Sequence, residues 1–343
     1  HQGPDPVLQA DRGLLSDTVI VEPSVNVPGL WDQFGSPHDP TGDIGRDHYV
    51  QAINSTTIGI FDKEGNILNS FSANTLWSSL GFTSAGDPII LYDQTANRWL
   101  ITEFPDPNQL LVAVSEDSDP LGSWNAYNFA TPSFPDYPKY GVWDNAYSVT
   151  TNEGGPGVLH SYFIDREALL AGNTSVSIQR LGLPGNNNTE AGFFVATPVD
   201  WSGLTPPNSN PLIMALNDSS WGSTPEDAVE IFSVNIDWDD PDNTSVEQTT
   251  VVTAPYNSFA CASLGYGFAC VPQRAGGGLD GIPETIMNQP HYRNFGTHES
   301  VVLCFMTDAD GNNRAGIRWM ELRRTPGADW SVYQEGTYAP NDG

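Results

Sequence analysis

The stretch from Asp87 to Phe129 constrains the fold of this chain more than any other. It contains four short apolar runs, each bounded by Asp, Asn, Pro, Gly or Ser: Pro88–Tyr92, Arg98–Phe104, Gln109–Val114 and Trp124–Phe129. The bounding residues favour turns or cannot continue a hydrogen-bonded ladder, so each run predicts one β-strand. Four strands in about 43 residues is the size of one β-propeller blade, so the stretch predicts a repeated four-stranded unit.

Looser copies of this unit fill most of the remaining chain. The strands predicted in them are His48–Asn54, Thr57–Asp62, Tyr140–Trp143, Ala146–Thr151, Val158–Ile164, Val176–Leu181, Leu212–Leu216, Ala228–Ile236, Glu247–Ala254, Ser300–Met306 and Ala315–Arg323. Helical turns are predicted around Leu76–Leu80 and in residues 165–173. We therefore predict an all-β fold: a β-propeller with five blades visible in residues 36–343, preceded by an extended lead-in over residues 1–35.

The charge balance excludes several kinds of partner. Lys and Arg number 13 against 42 Asp and Glu, which gives a net charge of −29. Because nucleic acid and anionic lipid surfaces need a basic face, we expect neither as a partner. No run approaches the ~20 apolar residues of a membrane span. The acidity is typical of a protein that stays soluble in a salty or extracellular medium.

Sequons and cysteines indicate a secreted protein. Glycosylation sequons in turn-like polar stretches begin at Asn54, Asn173, Asn187, Asn217 and Asn243. Such acceptors suit a secreted glycoprotein. Cys261 and Cys270 are nine residues apart in a Gly-rich loop, so we expect a local disulfide, whereas Cys304 lies in an apolar run and is predicted to be a buried thiol. The chain begins without a signal peptide, as a mature secreted form would.

Four segments together resemble a family of largely uncharacterised bacterial secreted or cell-surface β-propeller proteins. They are residues 86–99, 134–152, 291–300 and 314–324, and the resemblance extends over roughly residues 40–340. It implies a location at the cell surface and carries no accepted activity. In that family the sequence continues into at least one more blade, so the resemblance implies six or more blades in the complete protein. A further chain segment or a protein partner would then supply the closing blade.

The blades are also similar to those of the five-bladed glycoside hydrolases that cleave arabinans and xylans, and to sialidase-like propellers. Residues 115–124 carry this similarity, because a strand end is followed there by a Pro-Gly turn and Trp124. The residues that would match the sialidase Asp-box are spaced too widely for that motif. The similarity is therefore one of fold.

Acidic residues recur near the start of each unit, where the first strand of a propeller blade lines the central channel. Cleavage of a glycosidic bond needs two carboxylates, one as acid and one as base or nucleophile. If the chain is a hydrolase, Asp87 and Asp136 are the candidates for base and charge modulator, and Glu299 is the candidate for the acid. The alternative is that such side chains cap turns and tie neighbouring blades together by hydrogen bonds.

Two Asp-rich segments carry the oxygen ligands that Ca²⁺ prefers, so Ca²⁺ is the one candidate cofactor. The candidate ligands are Asp39, Asp43 and Asp47 in the first segment and Asp308, Asp310 and Asn312 in the second. The second segment lacks the distal Glu of a calcium loop, and a tight β-turn explains it equally well.

The sequence supports two functions. Loops on a rigid propeller suit recognition without chemistry, so we expect an extracellular glycoprotein that acts as a binding, adhesion or assembly module at the cell surface. The alternative is a glycoside hydrolase or lyase that acts on an extracellular polysaccharide through carboxylates at the channel mouth. Carboxylates roughly 5–10 Å apart in an open, aromatic-lined pocket would favour this alternative.

Overall fold

The computed structural model describes residues 3–9, 23–31, 38–54, 56–153, 157–185, 195–258, 271, 278–279, 281–287 and 289–339. The chain divides into two compact units. The larger unit comprises His1–Asp17, Lys139–Phe163 and Gln179–Gly343, and the smaller unit comprises Thr18–Pro138 and Ile164–Ile178.

Strands dominate the described residues, which confirms the predicted all-β class. The strands are β1 (Leu8–Gln9), β2 (Thr41–Ile44), β3 (His48–Ile53), β4 (Thr57–Asp62), β5 (Ile67–Ser72), β6 (Ser84–Asp93), β7 (Arg98–Pro105), β8 (Gln109–Ser115), β9 (Trp124–Ala130), β10 (Lys139–Val142), β11 (Ala146–Thr151), β12 (Val158–Asp165), β13 (Ile178–Pro184), β14 (Thr197–Pro198), β15 (Asp200–Gly203), β16 (Leu212–Asn217), β17 (Ala228–Asn235), β18 (Ser245–Val252), β19 (His291–Asn294), β20 (Glu299–Asp308), β21 (Ala315–Arg324) and β22 (Ser331–Tyr338). The helices are α1 (Asn74–Trp77) and α2 (Arg166–Leu170), with 3₁₀ turns at Ser78–Leu80, Ser219–Trp221 and Pro241–Asn243. No helix in the described ranges is long and apolar enough to cross a membrane.

The strands form five sheets, and each contains a run of four strands taken almost in sequence order. Four sheets consist of that run alone: sheet 1 (β2–β5), sheet 2 (β6–β9), sheet 3 (β10–β13) and sheet 4 (β14, β16, β17 and β18). Sheet 5 has six strands, with β1 and β15 at the two edges of the run β19–β22, and β15 pairs parallel with β19. Neighbouring strands of sheets 1, 2 and 4 and of the run β19–β22 pair antiparallel. This four-stranded meander has the strand order of a propeller blade, and it confirms the predicted repeated unit.

Burial across each meander follows the residue pattern of its strands. In sheet 2, the inner strand β8 carries a nearly continuous apolar run and is buried along almost all of its length. In sheet 1, the outer strand β5 is almost wholly exposed. Strands covered on both faces need such continuous runs, while an exposed edge tolerates polar residues. In the smaller unit the core includes Trp77 and Trp99, and in the larger unit it includes Trp143 and Trp201.

The N-terminal segment adds an edge strand to sheet 5. Strand β1 pairs parallel with β22, Leu8 opposite Thr337. The fully buried Arg318 anchors the segment, because its Nη1 lies 2.9 Å from both carboxylate oxygens of Asp5. The same guanidinium donates through Nη2 to Glu335 at 2.6 Å. A charge-assisted network therefore holds the lead-in against the last sheet.

The structure corrects several predicted boundaries. Strand β13 begins at Ile178 instead of Val176. Residues 41–44, placed by the sequence in a possible calcium-binding loop, form strand β2 with the sequence TGDI. Gly and Asp disfavour strands, so β2 shows no signal of its own and depends on pairing with β3.

Candidate functional site

The three carboxylates predicted for catalysis lie in different settings. Asp87 lies in β6 with a left-handed φ of 49°, and its N–H donates to Asn54 Oδ1 at 3.0 Å. Asp136 is half-buried in the loop that precedes β10, and like Asp87 it belongs to the smaller unit. Glu299 begins β20 in the larger unit and is buried.

Glu299 is held as an ion-paired carboxylate. Arg324 donates to its two oxygens through Nε and Nη2, at 2.9 and 2.7 Å, and the Tyr292 hydroxyl donates at 2.7 Å. Burial, followed by the hydrogen bond to Glu299, raises the pKa of Tyr292. Because a general acid must carry a proton, these bonds favour the structural alternative for Glu299 over the acid role.

Other carboxylates at strand starts tie neighbouring sheets together. Asp43 in β2 accepts the Tyr92 backbone N–H of sheet 2 at 2.7 Å, and Asp200 accepts that of Val142 in sheet 3 at 2.9 Å. This is the hydrogen-bonding role that the sequence offers as the alternative to catalysis. Asp39, a further candidate calcium ligand, accepts from the Asn54 amide at 3.0 Å.

The second Asp-rich segment forms the turn between β20 and β21. Asp308 accepts the backbone N–H groups of Gly311 and Asn313, each at 3.0 Å, and Asp310 accepts that of Asn312 at 2.8 Å. Such side-chain bonds are typical of Asx turns. No three His, Cys, Asp or Glu side chains in the described ranges are grouped to hold a metal ion. Calcium binding at either segment stays a prediction.

The sequons differ in accessibility. Asn173 and Asn243 are exposed and Asn54 is half-buried, whereas Asn217 is buried and donates to Glu230 at 2.8 Å. Sugar attached at Asn217 would have to displace this bond.

The other residues predicted to carry a glycan, a disulfide or a buried thiol are Asn187, Cys261, Cys270 and Cys304. Asn187, Cys261 and Cys270 fall outside the described part of the chain. Cys304 is a half-buried free thiol in β20, and burial raises its pKa.

An open groove in the smaller unit, which we call the β9 groove, has a volume of about 470 Å³. It lies between β9, Leu80 and the loop that follows α2. The polar side chains that line it are Asn125, Tyr127, Asn128, Thr174 and Ser175. None of its lining residues is charged, although 16% of the chain is Asp, Glu, Lys or Arg.

Local sequence explains how the groove is built. β9 is the outer strand of sheet 2, and its residues Tyr127 and Phe129 point to one face because side chains alternate along a strand. Their rings stack with centroids 6.5 Å apart, and burial raises the pKa of Tyr127. Gly172 ends α2 with φ 68°, and a Cβ there would lie 3.1 Å from the Asn125 amide nitrogen. A glycine therefore lets the loop approach the strand closely.

Sequence reasoning predicts the strand β9 and misses the groove. The available signal is that Trp124–Phe129 contains three aromatic residues and two Asn, whereas an outer strand that only has to stay soluble would carry charged residues.

Comparisons with known proteins give only distant likenesses. No family model and no curated protein matches the chain. Among solved structures, an α-L-arabinofuranosidase from Podospora anserina in complex with cellotriose is 11% identical over 88% of this chain and 91% of its own, with a TM-score of 0.37. The catalytic domain of a GH62 α-L-arabinofuranosidase from Coprinopsis cinerea is 9% identical over 86% and 88%, with a TM-score of 0.37. The SREBP-SCAP binding domains of fission yeast are 12% identical over 91% and 79%, with a TM-score of 0.39. Likeness at this level does not establish a shared activity.

Proposed function

We propose that the protein is an extracellular β-propeller that binds a neutral saccharide in the β9 groove. The observation that carries the proposal is the lining of the groove: amides, hydroxyls and a stacked aromatic pair, with no charged side chain. Amides and hydroxyls exchange hydrogen bonds with sugar hydroxyls, and an aromatic ring packs against the apolar face of a pyranose. The volume of about 470 Å³ falls within the range of small-ligand sites.

The side chains of β9 are suited to these roles. Asn125 alternates to the same face of β9 as Tyr127, and its amide lies beside Gly172 in the loop that follows α2. Tyr127 is half-buried, with one side of its ring against Phe129. A partly exposed, fixed ring lowers the entropy lost on binding.

The wider architecture is part of the same proposal. The five four-stranded meanders would be successive blades of a propeller, with a further segment or partner supplying any closing blade. Secretion is supported by the net charge of −29 and by the exposed sequons at Asn173 and Asn243. Intact mass before and after deglycosylation and reduction tests the glycans and the Cys261–Cys270 disulfide together.

The binding test is titration calorimetry of the full chain with neutral xylan-, arabinan- and cellulose-derived oligosaccharides. Tyr127→Ala and Asn125→Ala should each weaken binding, the first by about tenfold or more because the stacking surface is lost. Tyr338→Ala is the matched control, since this tyrosine is 47% exposed and lies in β22 of the larger unit. An affinity that Tyr127→Ala leaves unchanged, or no binding by the unmodified protein, would refute the proposal.

Hydrolysis is the second candidate, because two of the predicted carboxylates, Asp87 and Asp136, lie in the same compact unit. In this proposal Asp87 and Asp136 serve as base and charge modulator, and Glu299, which is paired with Arg324 in the larger unit, is not assigned the acid role. Release of reducing ends from arabinan or xylan by the unmodified protein, abolished by Asp87→Asn, would support it, and no release would exclude these substrates.

Calcium binding is proposed for Asp39, Asp43 and Asp47, or for Asp308, Asp310 and Asn312. The melting temperature should rise with added Ca²⁺ and fall with a chelator if either segment holds the ion, because a ligand of the folded state stabilises it. An unchanged melting temperature would argue against both.

A further inference from the structure

A second cavity, in the larger unit, has a different chemistry. It has a volume of about 460 Å³ and lies at one end of sheet 5, beside the β19–β20 and β21–β22 connections. We call it the arginine cavity. Its polar lining includes Thr297, Arg323, Arg324, Thr325, Asp329 and Ser331.

Both arginines are fixed in place. Arg323 donates through Nε to Glu321 at 2.5 Å, and its guanidinium carbon lies 3.4 Å from the ring centroid of Tyr333. Arg324 is bonded to Glu299 as described, and its guanidinium carbon lies 4.7 Å from the centroid of Trp330. Stacking and a carboxylate orient each planar guanidinium in advance of any ligand.

The two orienting carboxylates do not line the cavity. The side chains of Glu321 and Glu299 are only 11% and 6% exposed, whereas those of Arg323 and Arg324 are 31% and 24% exposed. The Nη1 group of Arg324 donates to no acceptor in the described ranges. The cavity therefore retains guanidinium donor capacity that its own ion pairs do not use.

The lining as a whole is rich in hydrogen-bond donors. Besides the arginines, it includes His298, Tyr333 and the three hydroxyl residues, all of which can donate. Asp329 is the one lining side chain that only accepts when ionised. Such a donor-rich surface in a chain with 13 cationic and 42 acidic residues favours an anionic ligand.

We infer that the arginine cavity binds an acidic saccharide, whose carboxylate or sulfate group is held by Arg323 and Arg324. Guanidinium groups match the planar, multidentate geometry of such oxyanions. A volume of about 460 Å³ leaves room for the sugar ring as well, with Thr297, Thr325 and Ser331 near its hydroxyls. The ligand class differs from the neutral sugar of the β9 groove, and the inference does not depend on that proposal.

The test compares three probes by calorimetry at low ionic strength: a galacturonate hexasaccharide, a sulfated heparin-type hexasaccharide, and neutral xylohexaose. We expect an acidic probe to bind and Arg323→Gln to weaken it by about tenfold or more. Asp329→Asn should instead tighten binding about threefold, because it removes the one carboxylate in the lining. Binding of the galacturonate hexasaccharide would show that a carboxylate suffices, whereas binding of the heparin-type hexasaccharide alone would indicate sulfate.

Two controls keep the outcomes distinct. Tyr127→Ala should leave the acidic probe bound, and Arg323→Gln should leave any neutral sugar bound in the β9 groove. If Arg323→Gln does not fold, Asp329→Asn decides the question, since Asp329 is exposed and makes no hydrogen bond or ion pair in the described ranges. Failure of both acidic probes to bind, or affinity unchanged in Asp329→Asn, would overturn the inference.

Discussion

A buried glutamate has different neighbours in the two units of this protein. In the larger unit, Glu299 accepts two N–H groups of Arg324 and a tyrosine hydroxyl. In the smaller unit, Glu103 accepts the indole N–H of Trp77 at 2.6 Å. No Lys, Arg or His of the described ranges forms an ion pair with Glu103.

The presence or absence of a neighbouring cation sets the electrostatic environment of each glutamate. Burial raises the pKa of Glu103 to about 7, and hydrogen bonds from Trp77 and Ser84 offset only part of that effect. At Glu299 the guanidinium supplies the opposite charge that Glu103 lacks, and in return the carboxylate orients Arg324 at the arginine cavity. Burial without a cation thus favours the protonated carboxyl, whereas burial with one fixes a charged pair.

The arrangement at Glu299 recurs in sheet 3. Glu153 is buried and pairs with Arg180 at 2.8 Å, and the Tyr162 hydroxyl donates to the same carboxylate. The side chains of Arg180 and Glu153 are 34% and 0% exposed, against 24% and 6% for Arg324 and Glu299. In both sets a buried carboxylate is therefore paired with a partly exposed guanidinium.

The largest effect is expected from breaking the pair at Glu299. Arg324→Met leaves a buried carboxylate without its counter-charge, and should lower the free energy of unfolding by about 3 to 5 kcal/mol. Denaturant unfolding at neutral pH measures this. The double variant Arg324→Met, Glu299→Gln is the control and should recover much of the loss, because no unpaired charge then remains buried. A loss below about 1 kcal/mol in the single variant would show that the pair behaves as a surface ion pair.

A smaller, pH-dependent effect is expected at Glu103. Its folded pKa of about 7 exceeds the ordinary value of 4.5, so the folded state binds more protons than the unfolded state between these values. Its contribution to stability is therefore present below about pH 4.5 and is lost as the pH rises through 7, by up to about 3 kcal/mol. Glu103→Gln removes the titrating group.

The informative measurement is the difference between the unmodified protein and Glu103→Gln, since many other carboxylates titrate in this acidic chain. Unfolding free energies measured from about pH 5 to about pH 8.5 should show the unmodified protein losing stability relative to the variant. Parallel pH profiles would mean that Glu103 stays charged in the fold.

Much of the fold could be predicted from local sequence. Strands such as β4 and β11 match their predicted bounds, because an apolar run between turn-forming residues specifies a buried strand by itself. Strand β2 could not be predicted, since TGDI becomes a strand only through its pairing with β3. Local propensity is overridden there by a non-local partner.

The candidate sites were harder to predict than the strands. Trp124–Phe129 is visible as a strand, but the groove exists only because the loop at Gly172 approaches it from a distant part of the sequence. Similarly, the sequence shows that Arg323 and Arg324 are neighbours. It does not show that the register between β20 and β21 places Glu299 opposite Arg324. Site geometry depends on such long-range contacts, which a residue pattern does not contain.

The smallest effect concerns the indole beside Glu103. Trp77→Phe keeps an aromatic ring but removes the N–H that donates to Glu103. The free-energy cost of the lost packing is the same at every pH, whereas the cost of the lost hydrogen bond depends on the charge of Glu103. A hydrogen bond to a charged carboxylate is worth about 1 kcal/mol more than one to a neutral carboxyl. The destabilisation by Trp77→Phe should therefore be about 1 kcal/mol larger near pH 8.5 than near pH 5. The same substitution in the Glu103→Gln background should cost equal amounts at both pH values, because no charge is then present. Equal costs in the unmodified background as well would mean that the indole does not stabilise the ionised carboxylate, and burial alone would set the pKa of Glu103.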